Sequence, residues 1–178
     1  MIVTCSDIQR WIDEYIEHCG MSVHNRKWNV KYINGHAPYN NADDCYHKWL
    51  KIVDANIARL STMATFEELF EEVAKLKIKG IGDLTIYDTA TMIGAKNGVY
   101  PQKVYLHAGA AIGAKALGVK GEVVDKSVFV ALCPAFDKMT PMQIEDFLCI
   151  FKSHLEGNPK EIKYRCICNL AKQAEKFF

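Results

Sequence analysis

Apolar side chains recur at helical spacing along most of the chain. Ser6 and Gln9 form a capping-box pattern, and the amphipathic run that follows them stops at Gly20. The apolar positions of this run are Ile8, Trp11, Ile12, Tyr15 and Ile16. Because these positions line one face of a helix, the run predicts a first helix that packs against a core.

The same spacing predicts further helices. Asn40 and Asn41 suit the cap of a helix that continues to about Leu60, and Thr65 to Glu68 form a capping box for the next one. The remaining predicted helices run from about Asp83 to Lys96, closed by Asn97-Gly98, from near Pro101 to Gly118, through SVFVALCPAF after Asp125, and from the starts Thr140-Pro141 and Asn158-Pro159. The pattern predicts a mainly α fold of about seven or eight helices, with residues 1–178 in a single compact helical unit.

Residues 21–41 depart from this pattern. Polar and aromatic residues mix there and no acidic residue occurs, so the segment predicts a loop or a short hairpin. Interleaved cations and aromatic rings suit contact with phosphates and stacked bases. An exposed loop anchored to the core by Trp28 and Tyr32 fits the same residues equally well, and both interpretations stay open.

Composition narrows the class of protein. The 178 residues carry 22 basic and 21 acidic side chains, and 49% are hydrophobic, which excludes a basic arm, an acidic tail or a disordered linker. Seven cysteines, an odd number without a Cys-x-x-Cys pair, indicate reduced and mostly buried thiols. No apolar stretch approaches the length of a membrane span, so we expect a soluble, cytoplasmic protein that contacts no membrane. The six histidines show no zinc-type spacing, and we expect no metal and no cofactor.

The most informative segment is a predicted helix-hairpin-helix over residues 65–98. Between its two helices lie Lys79, Gly80, Ile81, Gly82 and Asp83. The two glycines allow a tight turn and let an anion approach the backbone N–H groups at the start of the second helix, while Ile81 fills the space between the helices. A plain helix-helix turn is the alternative explanation of the same residues.

Charge around the hairpin favours nucleic acid as the ligand. Residues 75–120 contain seven lysines and two acidic residues, although the whole chain has a formal charge of only +1. Lys77, Lys79 and Lys103 belong to this set. Lysines that neutralise phosphates bind duplex DNA independently of its sequence, so the basic hairpin predicts double-stranded DNA as the partner.

The segment IKGIGDLTIYDTATMIGAKNG resembles the helix-hairpin-helix of the DNA base-excision glycosylases, and KVYLHAGAAIGAKALGV after it is similar to their next helix. The resemblance covers about residues 65–120. It implies a bilobal helical fold in which the hairpin holds duplex DNA by its phosphates while an extruded base enters a pocket between two lobes.

The chain departs from that family at the two catalytic positions. Leu84 stands two residues after the second hairpin glycine, where bifunctional members carry a lysine, and Tyr105 stands where the resemblance would place the catalytic aspartate. Neither side chain supplies the amine or the carboxylate on which the family's chemistry depends. The four-cysteine iron-sulfur loop of some members is also missing, because only Cys166 and Cys168 occur near the C-terminus.

Three functions stay open. The leading hypothesis is duplex DNA binding through Lys77, Lys79, Gly80, Ile81, Gly82, Asp83 and Lys103. The second is an active glycosylase that needs no lysine, with Asp88 as the carboxylate and His107 or Tyr105 assisting. If the helices pack as in that family, Asp88 and His107 face one cleft. The plainer interpretation is that Asp88 pairs locally and that His107 is a buried imidazole. The third function is a protein-interaction module in which the hairpin is only a structural turn.

Overall fold

Helices make up most of the chain that the computed structural model describes, which is residues 2–19 and 43–162. In chain order the elements are α1 (Cys5–Cys19), α2 (Asp43–Ala55), α3 (Ile57–Leu60), α4 (Phe66–Lys75), α5 (Asp83–Lys96), β1 (Val104–Tyr105), α6 (Ala108–Ala116), β2 (Val123–Val124), α7 (Lys126–Leu132), a 3-10 helix (Pro134–Lys138), α8 (Pro141–Ile150) and α9 (Lys152–Leu155). The prediction of a mainly α fold is confirmed. Within the described ranges, no helix has the length and apolar character needed to span a bilayer.

The described residues divide into two compact units. Residues 2–19 and 102–162 form one, which we call the flanking unit, and residues 43–101 form the other, which we call the hairpin unit. The expectation of a single compact unit over the whole chain stays a prediction. The mixed segment 21–41, the caps Asn40 and Asn41, and the cysteines Cys166 and Cys168 lie outside the described residues.

Helix α1 begins earlier than the sequence pattern predicts, because Thr4 caps it. The Thr4 hydroxyl accepts the N–H of Asp7 at 3.2 Å, and the Asp7 carboxylate accepts the N–H of Thr4 at 3.1 Å. This reciprocal pair satisfies two backbone donors, so the predicted cap at Ser6 is wrong. Hydrogen bonds from the Thr4 hydroxyl and N–H also hold the pKa of Asp7 below its ordinary value.

Aromatic side chains fill the core of the flanking unit. The ring of Phe147 in α8 lies at centroid distances of 4.8 Å from Phe151, 5.7 Å from Phe136 and 6.0 Å from Tyr15. Tyr15 therefore joins α1 to α8. The predicted inward face of α1 is confirmed at Ile8, Trp11, Ile12 and Tyr15, whereas Ile16 is 39% exposed.

Helices α6 and α8 approach closely because two glycines of α6 carry no side chain at the contact. A Cβ atom on Gly113 would overlap the carbonyl oxygen of Leu148. A Cβ atom on Gly109 would lie 2.5 Å from Sγ of Cys149. Glycine at both positions thus sets the distance between the two helices.

A short antiparallel pair of strands replaces the first part of the helix predicted from Pro101. Val104 pairs with Val124 and Tyr105 with Val123, and the N–H of Leu106 donates to the carbonyl of Glu122 at 2.7 Å. Helix α6 consequently begins only at Ala108. The prediction of a helix from Pro101 is wrong because its first residues form hydrogen bonds with a partner strand distant in sequence.

In the hairpin unit, the predicted capping box of Thr65 and Glu68 is confirmed, with the N–H of Glu68 donating to the Thr65 hydroxyl at 3.2 Å. The helix expected to reach Leu60 without interruption breaks at Asn56, whose Nδ2 donates to the carbonyl of Ile52 at 2.8 Å. An amide side chain that bonds the backbone one turn back competes with the helical ladder, which accounts for the break.

Capping also explains how the last helices begin and end. The carboxylate of Asp125 accepts the N–H of Ser127 at 2.8 Å ahead of α7, and the predicted box at Thr140 begins α8. The helix start predicted at Asn158 is wrong, because residues 158–162 are not helical. The N–H of Asn158 instead donates to the Ser153 carbonyl at 2.9 Å and closes α9, with Gly157 at a φ of +76°. The rest of that predicted helix lies outside the described residues.

A disulfide bond links the start of α1 to the end of α7. Cys5 and Cys133 are 128 positions apart in sequence, and their Cα atoms are 5.5 Å apart. The expectation of reduced thiols is therefore wrong for this pair. Within the described residues, Cys45 and Cys149 are half-buried and form no disulfide.

Removal of this disulfide is expected to lower the free energy of unfolding. Cys5 is exposed, so Cys5→Ala loses little packing, and the expected loss of about 2–4 kcal/mol comes from the greater entropy of the uncrosslinked unfolded chain. Urea unfolding followed by circular dichroism measures this loss. A reducing agent should destabilise the wild type and leave Cys5→Ala unchanged. Equal stability of the two proteins without reductant would contradict the disulfide.

Candidate nucleic-acid interface

The connection between α4 and α5 is a short hairpin with a buried centre. After α4 ends at Lys75, the N–H of Ile81 donates to the carbonyl of Ile78 at 3.2 Å, and Gly82 caps α5. Ile81 is only 6% exposed, as the sequence predicts for a side chain that fills the space between two helices. Burial of this one apolar side chain stabilises the hairpin.

Gly80 is required by the fold of the hairpin. Its φ of +96° is a conformation that residues with a Cβ atom rarely adopt. In addition, a Cβ atom at this position would lie 2.8 Å from Sγ of Cys45 in α2. Backbone conformation and available space therefore both exclude a side chain at Gly80.

Gly82 is different, because nothing in the described fold requires a glycine there. Its φ of −91° and ψ of 167° suit any residue, and no atom lies within 4 Å of the place where a Cβ would be. No side chain caps the N-terminus of α5 at this position. The described residues therefore leave open space at the Cβ position of Gly82, next to the N-terminus of α5, and the N–H groups and dipole of a helix N-terminus favour an anion.

Two of the three lysines between the end of α4 and Gly80 form ion pairs. Lys75 pairs with Glu72, and Nζ of Lys77 lies 2.8 Å from Oδ1 of Asp83. Lys79 is exposed and has no ion-pair partner among the residues that the structure describes. Of these three lysines, Lys79 is thus the one whose charge is available to a ligand.

Acidic side chains are concentrated at the other end of α4. Glu67, Glu68, Glu71 and Glu72 all lie in its first seven residues. Hydrogen bonds from Lys75 and then from Arg59 hold the pKa of Glu72 below its ordinary value. The start of α4 is therefore a concentration of negative charge, which disfavours contact with a polyanion at that end of the helix.

Lys103 belongs to the flanking unit, whereas the hairpin belongs to the hairpin unit. The Lys103 side chain is exposed. Hydrogen bonds from Ser127 lower the pKa of Asp125, and the positive charge of Lys103 adds to that effect. The expectation that Lys103 contacts the same DNA as the hairpin stays a prediction.

The three candidate catalytic residues lie in different surroundings. Asp88 is a half-buried residue of α5 in the hairpin unit, and its Oδ1 atom is buried. Tyr105 is a buried residue of β1, and His107 precedes α6 in the flanking unit. The shared cleft of Asp88 and His107 stays a prediction, as does the assisting role of Tyr105.

Sequence reasoning missed Glu145, which lies close to His107. Nδ1 of His107 is 3.9 Å from Oε1 of Glu145, and the Glu145 side chain is only 5% exposed. Both ring nitrogens of His107 are buried as well. The signal in the sequence was a glutamate on the apolar face of the predicted helix after Pro141, a place where a carboxylate is seldom buried without a reason.

Comparisons of the chain with protein-family models, with curated proteins and with solved structures find no match. The resemblance of residues 65–120 to the helix-hairpin-helix glycosylases stays a prediction.

The two hairpin glycines differ in φ and in the space around them, so we expect their replacement by alanine to lower the free energy of unfolding by different amounts. Gly80→Ala should lower the free energy of unfolding by about 2–4 kcal/mol, because the new Cβ is both strained and too close to Cys45. Gly82→Ala should cost less than about 1 kcal/mol, since only the capping preference changes. Urea unfolding of each variant measures these costs.

Gly98 supplies the matched control for Gly80. Its φ is +72°, but no atom lies within 4 Å of its Cβ position. In Gly98→Ala only the backbone conformation is strained and no atom is too close, so this substitution should be less destabilising than Gly80→Ala. Equal losses for Gly80→Ala and Gly82→Ala would contradict the described hairpin.

Proposed function

We propose that this chain binds duplex DNA through the hairpin Lys79 to Asp83 and the N-terminus of α5. The observation that carries the proposal is the open space that the described residues leave at the Cβ position of Gly82, the N-cap of α5, which makes no side-chain capping hydrogen bond. A phosphate oxygen accepts hydrogen bonds from such N–H groups and is stabilised by the helix dipole. The neighbouring Lys79 adds a positive charge for the same phosphate.

DNA is preferred over a free anion because the hairpin presents backbone rather than side chains. The absence of a Cβ at Gly82, where the Cβ position is open, lets an extended phosphate backbone come close, and backbone N–H groups contact phosphates without reading base sequence. The predicted ligand is therefore duplex DNA of any sequence. The resemblance of residues 65–120 to the glycosylase hairpin supports the same ligand.

The charges of the hairpin unit predict a modest dependence on salt. Lys75 and Lys77 are already paired within the protein, so few lysines remain to displace counterions from DNA. With about two phosphates neutralised, the logarithm of the affinity should fall with the logarithm of the salt concentration with a slope of about −2.

The predicted cytoplasmic location agrees with DNA as the partner. The disulfide between Cys5 and Cys133 is the observation that opposes this location, because disulfides are rare in reducing compartments.

Lys79→Ala is expected to weaken DNA binding about three- to tenfold and to reduce the salt slope by about 1, because it removes one cation from a phosphate. Fluorescence anisotropy of a labelled duplex over a series of NaCl concentrations measures both quantities. Lys96→Ala is the matched control, since it removes an exposed lysine from the opposite end of α5. Equal affinities for the two variants would contradict a site at the hairpin. Absence of binding by the wild type at low salt would favour the protein-interaction module.

A second function, excision of a base from DNA, is favoured by the buried Oδ1 of Asp88 one turn after Leu84 in α5. A carboxylate partly shielded from water next to a DNA-binding hairpin suits the stabilisation of a cationic sugar in the transition state.

In this second function, Asp88→Asn should abolish release of a free base from duplexes that carry modified or mismatched bases. Chromatography of the released bases measures the reaction. DNA affinity of Asp88→Asn, measured in parallel, should stay close to that of the wild type, because the residue acts on the sugar and not on the phosphates. Full base release by Asp88→Asn would overturn the assignment of this carboxylate.

A further inference from the structure

The side chain of Cys45 in α2 contacts the hairpin, although 34 positions separate Cys45 from Lys79 in sequence. Its thiol donates a hydrogen bond to the carbonyl oxygen of Lys79, with 2.7 Å between Sγ and the oxygen. The same sulfur lies 2.8 Å from the position of a Cβ on Gly80. The sulfur of Cys45 thus lies close to both residues that this peptide bond joins, Lys79 and Gly80.

This contact fixes the direction of the next backbone donor. The described residues contain no cis peptide bond, and in a trans peptide the C=O and the N–H point in opposite directions. Because the carbonyl of Lys79 points toward Cys45, the N–H of Gly80 points away from it. No acceptor for this N–H occurs in the described part of the chain.

We propose that Cys45 is a positioning residue of the DNA-binding hairpin. Its thiol holds the peptide between Lys79 and Gly80 in the orientation that presents the Gly80 N–H to a phosphate oxygen. This inference rests on the proposed function of the hairpin and adds to it a residue that touches no DNA. It also explains why Gly80 has both a positive φ and a close approach to α2.

The size and chemistry of the cysteine suit this role. The thiol is a weak donor on a short side chain, so it reaches the carbonyl while leaving room for the backbone of Gly80. Alanine would remove the donor and leave the peptide without its partner. Serine would keep a donor of similar length and restore the orientation.

The first test measures DNA affinity by fluorescence anisotropy at a fixed salt concentration. Cys45→Ala should bind a labelled duplex about fivefold more weakly than the wild type, as expected for the loss of one hydrogen bond, and Cys45→Ser should bind within about twofold of it. Cys149→Ala is the matched control, because it removes the other half-buried cysteine of the described residues that forms no disulfide, and this cysteine lies in the flanking unit. Circular dichroism establishes that each variant is folded.

The second test needs no DNA. In the free protein, Cys45→Ala should shift the amide resonance of Gly80, whereas Cys45→Ser should restore it toward that of the wild type. A purely structural role of Cys45 would destabilise the unit evenly and would not single out this amide. If the Gly80 amide and the DNA affinity are both unchanged in Cys45→Ala, the inference is wrong. If the wild type binds no DNA, the proposed function fails, and the Gly80 amide alone then decides the role of Cys45.

Discussion

The chain reverses direction between Lys75 and Asp83 by means of a left-handed step at Gly80, and the candidate interface depends on that step. The φ of +96° turns the backbone at Gly80, and the next residue, Ile81, is buried. Gly82 then starts α5 with open space at the position of a Cβ. A residue with a Cβ at position 80 would strain the turn and collide with Cys45, so the buried side chain and the open helix end would both be displaced.

Ion pairs within the protein reduce the number of lysines in residues 75–120 whose charge is available to a ligand. A count over residues 75–120 suggests a broad positive surface. In the structure, Glu72 and Asp83 pair with Lys75 and Lys77, and Lys79 remains as the exposed cation beside the two glycines. In the proposed function, the attraction of the hairpin for a phosphate comes from backbone N–H groups and Lys79, because Lys75 and Lys77 are paired within the protein. Interaction through a few donors of fixed direction is compatible with a chain of almost no net charge.

The features that the sequence predicted correctly mostly depend on residues that are close together in the chain. The capping box at Thr65 was recognisable because its partners are three residues apart, and Ile81 was recognisable as buried because it lies between two glycines. The cap of α1 was misplaced because Asp7 takes the place that glutamate or glutamine usually occupies. Strands β1 and β2, the disulfide of Cys5 with Cys133, and the contact of Cys45 with Lys79 all join residues far apart in sequence. No short-range pattern contains such pairs.

A pair of substitutions at Gly82 tests the central claim most directly. Aspartate and asparagine both cap helices well, so Gly82→Asp and Gly82→Asn should keep the fold and leave the free energy of unfolding unchanged or about 0.5 kcal/mol higher. Each side chain would occupy the N–H groups of α5, and aspartate would add a negative charge. The account predicts that Gly82→Asn binds duplex DNA more weakly than the wild type and that Gly82→Asp does not bind it. Binding of Gly82→Asp with wild-type affinity would contradict the account.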